Sequence, residues 1–187
     1  MTLLVLGLLL WTAAHVFKRV APDARGGLVA GLGAGPARGL IAVLILASVV
    51  LIVIGYRGAP VAPVYGPPAW GIHVNNLAMV AAVALFGAGR SKGHARSWLR
   101  HPMLTGVLVW AIAHLLVNGD VASLVLFGWM GAWAVAEMLL INAREPAWVA
   151  PAPGPWTGDL RLLLIALVLY AVIAAVHTWL GYWPFPQ

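Results

Sequence analysis

Two histidines in one apolar segment are the side chains best suited to chemistry in this chain. The segment 98–120 places His101 at the start of an apolar helix and His114 well inside it. An imidazole in hydrocarbon costs free energy unless it is paired, bound to a metal or facing a cavity. Only 9% of the residues are charged, so a histidine at such a depth needs a reason to be there. Ligation of a metal ion or a haem is one such reason.

Four more histidines occur in the chain: His15, His73, His94 and His177. His94 lies in a basic loop and is expected to be solvated, whereas the other three lie in or at the ends of apolar segments. Imidazoles that project from facing helices are how helix bundles hold haem or metal ions. The chain has no cysteine, no H-E-x-x-H motif and no carboxylate cluster. Thiolate ligation is therefore excluded, and a hydrolytic metal site has little support.

Glu137 is the one acidic residue well inside an apolar segment. A carboxylate there needs a partner, and the sequence offers Arg144, two turns later on the same helix, or His101. A charge pair that fixes helix position is one explanation, and a role in proton handling or cofactor orientation is the other. Haem b needs one or two axial imidazoles, an apolar slot and basic groups for its propionates, all of which this sequence can supply.

The elements that must position these side chains are apolar helices. The chain of 187 residues is 63% hydrophobic with a mean hydropathy of +0.95, which excludes an ordinary soluble domain. Six apolar segments approach or exceed the roughly 17 to 25 residues of a membrane span. They are residues 2–17, 39–56, 70–89, 102–118, 121–142 and 160–180. Only helices satisfy their own backbone in lipid, so we expect an all-α polytopic membrane helix bundle, a single domain over residues 1–187.

The basic residues predict the orientation of these spans. Ten of the eleven Lys and Arg residues lie in or beside the 18–38, 90–101 and 143–159 loops, and only Arg57 lies on the other side. By the positive-inside rule these loops are cytoplasmic and both termini lie outside. The net charge of +6 then reflects a basic face near anionic lipid headgroups rather than nucleic-acid binding. Positive charges follow the first apolar run instead of preceding it, so we expect a retained helix rather than a signal peptide.

Two local patterns predict how neighbouring helices meet. Asn118-Gly119-Asp120 is typical of a tight helix–helix turn in which Asp120 caps the next helix. Gly128, Ala132 and Ala136 share one face of the fifth span, and small residues in such a series predict close helix packing.

The fourth span and its flanks carry a motif that is found in a known family. Its residues are Arg100-His101-Pro102-Met103-Leu104, Trp110, His114 and Asn118-Gly119-Asp120. The features elsewhere that agree with it are His15, Arg25, Gly33 and Gly55-Tyr56-Arg57. Together they resemble the NnrU family of bacterial inner-membrane proteins over about residues 1–145. This resemblance implies a bacterial inner-membrane location and an involvement in denitrification and nitrogen-oxide metabolism.

The same residues are similar to the plastid 15-cis-zeta-carotene isomerases, membrane enzymes with haem b that are related to this family. The similarity implies that His15 and His114 are the axial ligands of a haem b held between the first and fourth spans. It also implies that His101 and Arg100 support the site at its cytoplasmic mouth without binding the iron.

Helix geometry leaves a second ligand set open. With a rise of ~1.5 Å per residue, His114 lies about 18 Å from the inner boundary and His15 about 4 Å from it. A haem shared by this pair would lie well towards the membrane plane. His73, His114 and His177 instead lie level, within about 5–7 Å of the outer boundary, and would suit an upright haem. The pair of His15 and His114 is favoured because the motif resemblance is specific, and His73 and His177 are alternative ligands.

Three functions follow from these observations, and whether the protein is an enzyme stays open. The first is a haem b protein that acts on nitrogen oxides or isomerises a lipophilic polyene, although Ala111 and Tyr56 replace a cysteine and a histidine of the isomerases. The second is a membrane methyltransferase, because residues 100–106 are similar to an RHPxYxG segment that helps hold S-adenosylmethionine; Leu104 replaces its tyrosine. The third is a non-catalytic assembly or sensor protein whose histidines satisfy one another. The expected partners are the lipid bilayer and a lipophilic molecule or nitrogen oxide, and a homo-oligomer is left open.

Overall fold

A computed structural model describes residues 1–186, and in that range the chain forms seven α-helices, one short 3₁₀ helix and no β-strand. The helices are α1 Thr2–Val20, α2 Pro22–Leu32, α3 Ala34–Arg57, α4 Gly71–Ala88, the 3₁₀ helix His94–Ser97, α5 Pro102–Leu115, α6 Val121–Arg144 and α7 Trp156–Trp179. Five of them, α1, α3, α4, α6 and α7, are long and apolar enough to cross a membrane. The prediction of an all-α polytopic membrane bundle is therefore confirmed.

Several helix ends lie up to five residues from their predicted positions, and two elements differ more from the sequence prediction. The 18–38 loop contains α2, which has Pro22 at its start and Asp23 in its first turn. Proline and an acidic residue at these positions are a helix-start signal, but the stretch is too polar to register as a membrane span. The predicted span 102–118 is shorter than expected, because α5 ends at Leu115 and has 14 residues, a length of about 21 Å.

The helices that matter for the site pack around α6. α1 lies between α3 and α6, and α5 lies between α4 and α6. The contact of α1 with α3 is close: a Cβ at Gly7 would lie 2.8 Å from the Ile52 nitrogen, and one at Gly55 would lie 2.7 Å from the Leu4 Cα. The core where α1, α5 and α6 meet is formed by Leu4, Leu8, Val107, Ala111, Leu126, Phe127, Met130, Trp133 and Ala134. α7 packs chiefly against α4, so it is the least supported long helix near the site.

The small-residue face of α6 does not pack in the way the sequence predicted. Gly128, Ala132 and Ala136 are exposed, and a Cβ at Gly128 would meet no atom within 4 Å. Within the described chain the expectation of close packing on this face is wrong. The reason is that α6 turns its large residues, such as Phe127 and Trp133, towards α1 and α5.

One end of the bundle is closed by the extended connection between α3 and α4. The Tyr65 hydroxyl donates to the backbone carbonyls of Leu115 and Asn118, across the turn that joins α5 to α6. Asp120 accepts hydrogen bonds from the backbone N–H and the hydroxyl of Ser123 at 3.0 and 2.6 Å. These bonds confirm the predicted role of Asp120 as the N-cap of α6.

The three basic loops lie together at the opposite end, called the basic end below. Asp159, in the first turn of α7, accepts hydrogen bonds from the N–H groups of His94 and Ala95 at 2.8 and 2.9 Å. His94 also stacks on Trp156, with ring centroids 4.3 Å apart. His94 is therefore only partly solvated, because its ring and backbone anchor the start of α7 to the 3₁₀ helix.

Candidate functional site

An apolar cavity of about 940 Å³ lies between α7 and the wall formed by α1, α4, α5 and α6. Its volume falls in the range of about 300–1,000 Å³ that is typical of ligand sites. Most of the lining consists of aliphatic, aromatic and methionine side chains. The histidines, asparagines and acid in the lining are His15, His114, His177, Asn75, Asn76 and Glu137. Three of the four predicted ligand candidates therefore border one space.

The three imidazoles of the cavity are held in the same way. In each, Nδ1 lies 2.8–2.9 Å from the backbone carbonyl four positions earlier. The pairs are His15–Trp11, His114–Trp110 and His177–Ile173. Because a carbonyl only accepts, Nδ1 carries the hydrogen and the neutral ring keeps its lone pair on Nε2. Histidines that bind metals almost always donate their other N–H in this way.

Buried aromatic rings of α6 hold two of these imidazoles. The ring centroid of His15 lies 5.0 Å from that of Trp133, and the centroid of His114 lies 4.7 Å from that of Phe127. The two aromatic residues are six positions apart on α6, which is about 9 Å along its axis. The sequence implied a larger offset between the histidines, of about 14 Å. The offset is smaller because α1 continues to Val20, about one turn past residue 17, as expected for the shortest apolar segment.

The two helices carry the same short motif, which was not recognised from the sequence. Residues 11–15 read WTAAH and residues 110–114 read WAIAH, so each histidine follows a tryptophan by four positions. On a helix this spacing places the indole beside the imidazole. The ring centroids are 4.2 Å apart in α1 and 5.2 Å apart in α5. The shared W-x-x-A-H pattern was the available signal, and a local comparison of the spans would have found it.

Three further predicted residues lie outside the cavity lining. His73 is exposed on the first turn of α4. His101 Nε2 lies 2.8 Å from Asn142 Oδ1 on α6, and Arg100 donates to the backbone carbonyl of Glu145. The Arg-His-Pro segment therefore ties the start of α5 to the end of α6, and the structure does not bring it together with the cavity histidines.

Contacts one helical turn apart align α1 with α6, and the two helices run in the same direction. The pairs are Thr12–Trp129, His15–Trp133 and Arg19–Glu137. The Trp129 indole N–H donates to the Thr12 hydroxyl at 3.0 Å. This register places Arg19, near the end of α1, at the level of Glu137.

Glu137 is 5% exposed, and its partner differs from the prediction. Its Oε1 accepts a hydrogen bond from Arg19 in an ion pair, so both predicted partners are wrong. Its Oε2 finds no hydrogen-bond partner in residues 1–186, and the same holds for the Asn75 Oδ1 and for the indole N–H groups of Trp11 and Trp133. Buried polar atoms are normally satisfied, and these four belong to residues that line the cavity. They point to a ligand that carries polar groups.

The side chains around the cavity suit an iron held by two imidazoles rather than a metal ion held by three or more side chains. Within residues 1–186, no three His, Cys, Asp or Glu side chains are grouped so that they could hold a metal ion. A haem iron takes one or two imidazoles from the protein. An apolar cavity with two fixed imidazoles on different helices fits that requirement.

Comparison with known proteins gives a family match. A family model described as "NnrU protein" matches residues 3–184. No curated protein and no solved structure matches the chain. The family match extends past residue 145, where the motif resemblance ended, and it includes α7 and the cavity residues that α7 contributes.

Proposed function

Since the chain belongs to the NnrU family, we propose that it is a bacterial inner-membrane protein of this type that binds haem b, with His15 and His114 as the axial ligands. One observation supports this most: two imidazoles with a free Nε2 border the same apolar cavity of about 940 Å³. His177 is the alternative ligand, because it borders the same cavity with the same Nδ1 bond.

The residues around the cavity are fitted to such a group. The carbonyls of Trp11 and Trp110 fix which nitrogen of each ligand is free and make that nitrogen a better donor to iron. The aromatic rings of α6 restrict the rotation of both imidazoles. The apolar lining keeps water away and lowers the local dielectric constant, which strengthens every polar interaction inside the cavity. When bound, haem b would supply a redox-active iron that can also act as a Lewis acid.

We infer two reaction classes for this site: conversion of a nitrogen oxide, or isomerisation of a lipophilic polyene. The apolar lining along α4, α5 and α7 favours a lipophilic molecule as one occupant. Ala111 replaces the cysteine of the carotene isomerases, and because the chain has no cysteine it offers no thiol for ligand exchange. Tyr56 replaces a histidine of those enzymes. Conversion of a nitrogen oxide therefore has more support than isomerisation of a polyene.

The two other functions have less support. The Arg100 and His101 side chains bond residues at the end of α6. Joining two helix ends therefore explains the segment that is similar to methyltransferases without S-adenosylmethionine binding. The cavity histidines bond the carbonyls of their own helices rather than one another, which differs from the mutual pairing expected of the non-catalytic alternative.

The test is an optical titration of the detergent-solubilised full chain with haem b. The wild type is expected to give a stoichiometric Soret band with the sharp α and β bands of a bis-imidazole haem. His15→Ala and His114→Ala should each lose that spectrum, whereas His73→Ala, which removes an exposed histidine outside the cavity lining, should keep it. A wild type that binds no haem, or ligand variants with an unchanged spectrum, would refute the proposal.

A further inference from the structure

A second, smaller cavity lies at the basic end of the bundle, with a volume of about 270 Å³. We call it the basic vestibule. Its lining residues are Lys18, Arg19, Pro22, Arg144 and Glu145. Three cationic side chains and one carboxylate give it a net positive charge, and it lies where the first and sixth α-helices end. Such a cavity is suited to an anionic group.

Arg19 connects the basic vestibule to the large cavity. Its side chain lines the vestibule, and it donates to Glu137, which lines the large cavity. The Arg19 side chain is 12% exposed, and its Nε–H is buried without a hydrogen-bond partner in residues 1–186. A guanidinium has five N–H donors in a fixed fork, and it binds carboxylates through two of them at once. Arg19 therefore has donor capacity left for an anion beside Glu137.

The charge distribution around the large cavity is uneven along its length. At the end away from the vestibule the polar lining residues are neutral amides and imidazoles: Asn75, Asn76, His114 and His177. At the vestibule end Glu137 is held by Arg19, and two more cations follow. An elongated ligand with an apolar body and an anionic end thus has one favourable orientation, with the anionic end towards the vestibule.

We propose that the basic vestibule binds the propionate carboxylates of the haem, with Arg19 as the principal contact and Lys18 and Arg144 completing the site. The inference rests on the proposed haem binding and adds to it the direction in which the haem is inserted. Glu137 is a positioning residue here, because it holds the guanidinium at the boundary before any ligand arrives. A propionate then shares Arg19 with Glu137, and Lys18 and Arg144 attract the second propionate while Glu145 opposes part of that attraction.

The experiment compares haem b with its dimethyl ester, in which both carboxylates are neutral. Each is titrated into the full chain in detergent and followed at the Soret band. The wild type should bind haem b about tenfold more tightly than the ester, as expected for charge-assisted hydrogen bonds. Arg19→Met should remove this preference, and Lys18→Gln with Arg144→Gln should reduce it severalfold. Because both groups of the double variant are exposed, that variant decides the question even where Arg19→Met fails to fold.

Arg161→Gln is the matched control, since Arg161 is an exposed cation of α7 that does not line the vestibule. It should keep the full preference for haem b over the ester. Equal affinity of the wild type for the two compounds, or an unchanged preference in the double variant, would overturn the vestibule site while leaving haem binding intact. A wild type that binds neither compound would refute haem binding itself.

Discussion

His15 and His114 lie on helices that are packed on two sides, whereas His177 lies on α7, which packs chiefly against α4. The first two imidazoles each contact a buried ring of α6, at centroid distances of 5.0 and 4.7 Å. In the described chain the His177 imidazole makes one hydrogen bond, to the carbonyl of Ile173 on its own helix, and no aromatic contact. We call the α1, α5 and α6 side the rigid wall and α7 the free wall.

This difference bears on which imidazoles can serve as ligands. A side chain that is already fixed loses little conformational entropy when it binds, so more of the interaction appears as affinity. The rigid wall meets this condition for His15 and His114. If haem binds as proposed, α7 is better suited to closing the cavity over it than to supplying an iron ligand, because a helix with little packing opens at low cost.

The largest expected effect is on the haem spectrum, and it distinguishes the histidine on the rigid wall from the histidine on the free wall. His114→Gly should abolish the bis-imidazole spectrum of the haem-loaded protein, and imidazole added to the buffer should restore it by occupying the space of the lost ring. His177→Gly should leave the spectrum as it is. The optical spectrum of each variant provides the measurement. A spectrum that depends on His177 and not on His114 would reverse the roles of the two walls.

The second prediction concerns the ion pair inside the rigid wall. Arg19→Met leaves Glu137 buried without a partner and should lower the free energy of unfolding by about 3–5 kcal/mol. The double variant Arg19→Met with Glu137→Leu should recover most of that loss. Unfolding of the detergent-solubilised protein by heat or by denaturing detergent measures both. Arg161→Met on the free wall is the control, and a single variant as stable as this control would contradict the prediction.

A third, smaller effect comes from the contact that holds α1 in place. Gly55→Ala forces a Cβ against the Leu4 backbone and should cost about 1–3 kcal/mol through overpacking. Gly128→Ala is the matched control, because a Cβ there meets no atom within 4 Å and glycine is a poor helix former. The two unfolding midpoints should therefore move in opposite directions. Equal midpoints would show that α1 tolerates displacement from α3.

The fourth prediction tests the cap of α6. Asp120→Ala should lower stability by about 1 kcal/mol. Burial acts to raise the pKa of Asp120, but hydrogen bonds from Ser123 outweigh it and keep that pKa below its usual value. The stabilisation is complete above the unfolded-state pKa of about 3.9 and is lost as the pH falls through the lowered native value. Unfolding midpoints between neutral and acidic pH should converge for the variant and the wild type, and a constant gap would contradict this assignment.

The smallest effect is local to the free wall. Asp159→Ala removes the acceptor for the N–H groups of His94 and Ala95. Backbone amides in the first turns of α7 should then exchange with deuterium faster, while amides of α1 and α6 keep their rates. Exchange followed by mass spectrometry measures this. Faster exchange throughout the bundle would show that α7 supports the rigid wall more than its packing indicates.

The positions of the spans were predictable because a membrane helix is encoded locally, as a run of apolar residues. The predicted start of α5 and the cap at Asp120 are confirmed for the same reason. The short helix α2 was missed because the prediction followed hydropathy, although Pro22 marks its start.

The residues that contact the candidate ligands were harder to predict, because the sequence of one helix does not specify which other helix it packs against. Arg19 and Glu137 are 118 positions apart, and a single sequence gives no measure of their proximity. The histidines His15 and His114 were predicted as ligands from a family resemblance, whereas the rings of Trp133 and Phe127 that hold them were not. The Arg100–His101 segment was the most conspicuous motif, yet it joins two helix ends outside the cavity lining.

The alignment of α1 with α6 has a consequence for how the protein is made. Synthesis delivers Thr12 and Arg19 to the membrane more than a hundred residues before their partners on α6, which lie 117 and 118 positions later. Until then Arg19 has no Glu137 to pair with, and the Trp129 and Trp133 indoles have not been synthesised. The side of the cavity that α7 forms is supplied after the helices that carry His15 and His114. A ligand that binds in this cavity would need α7 in place before its lining is complete.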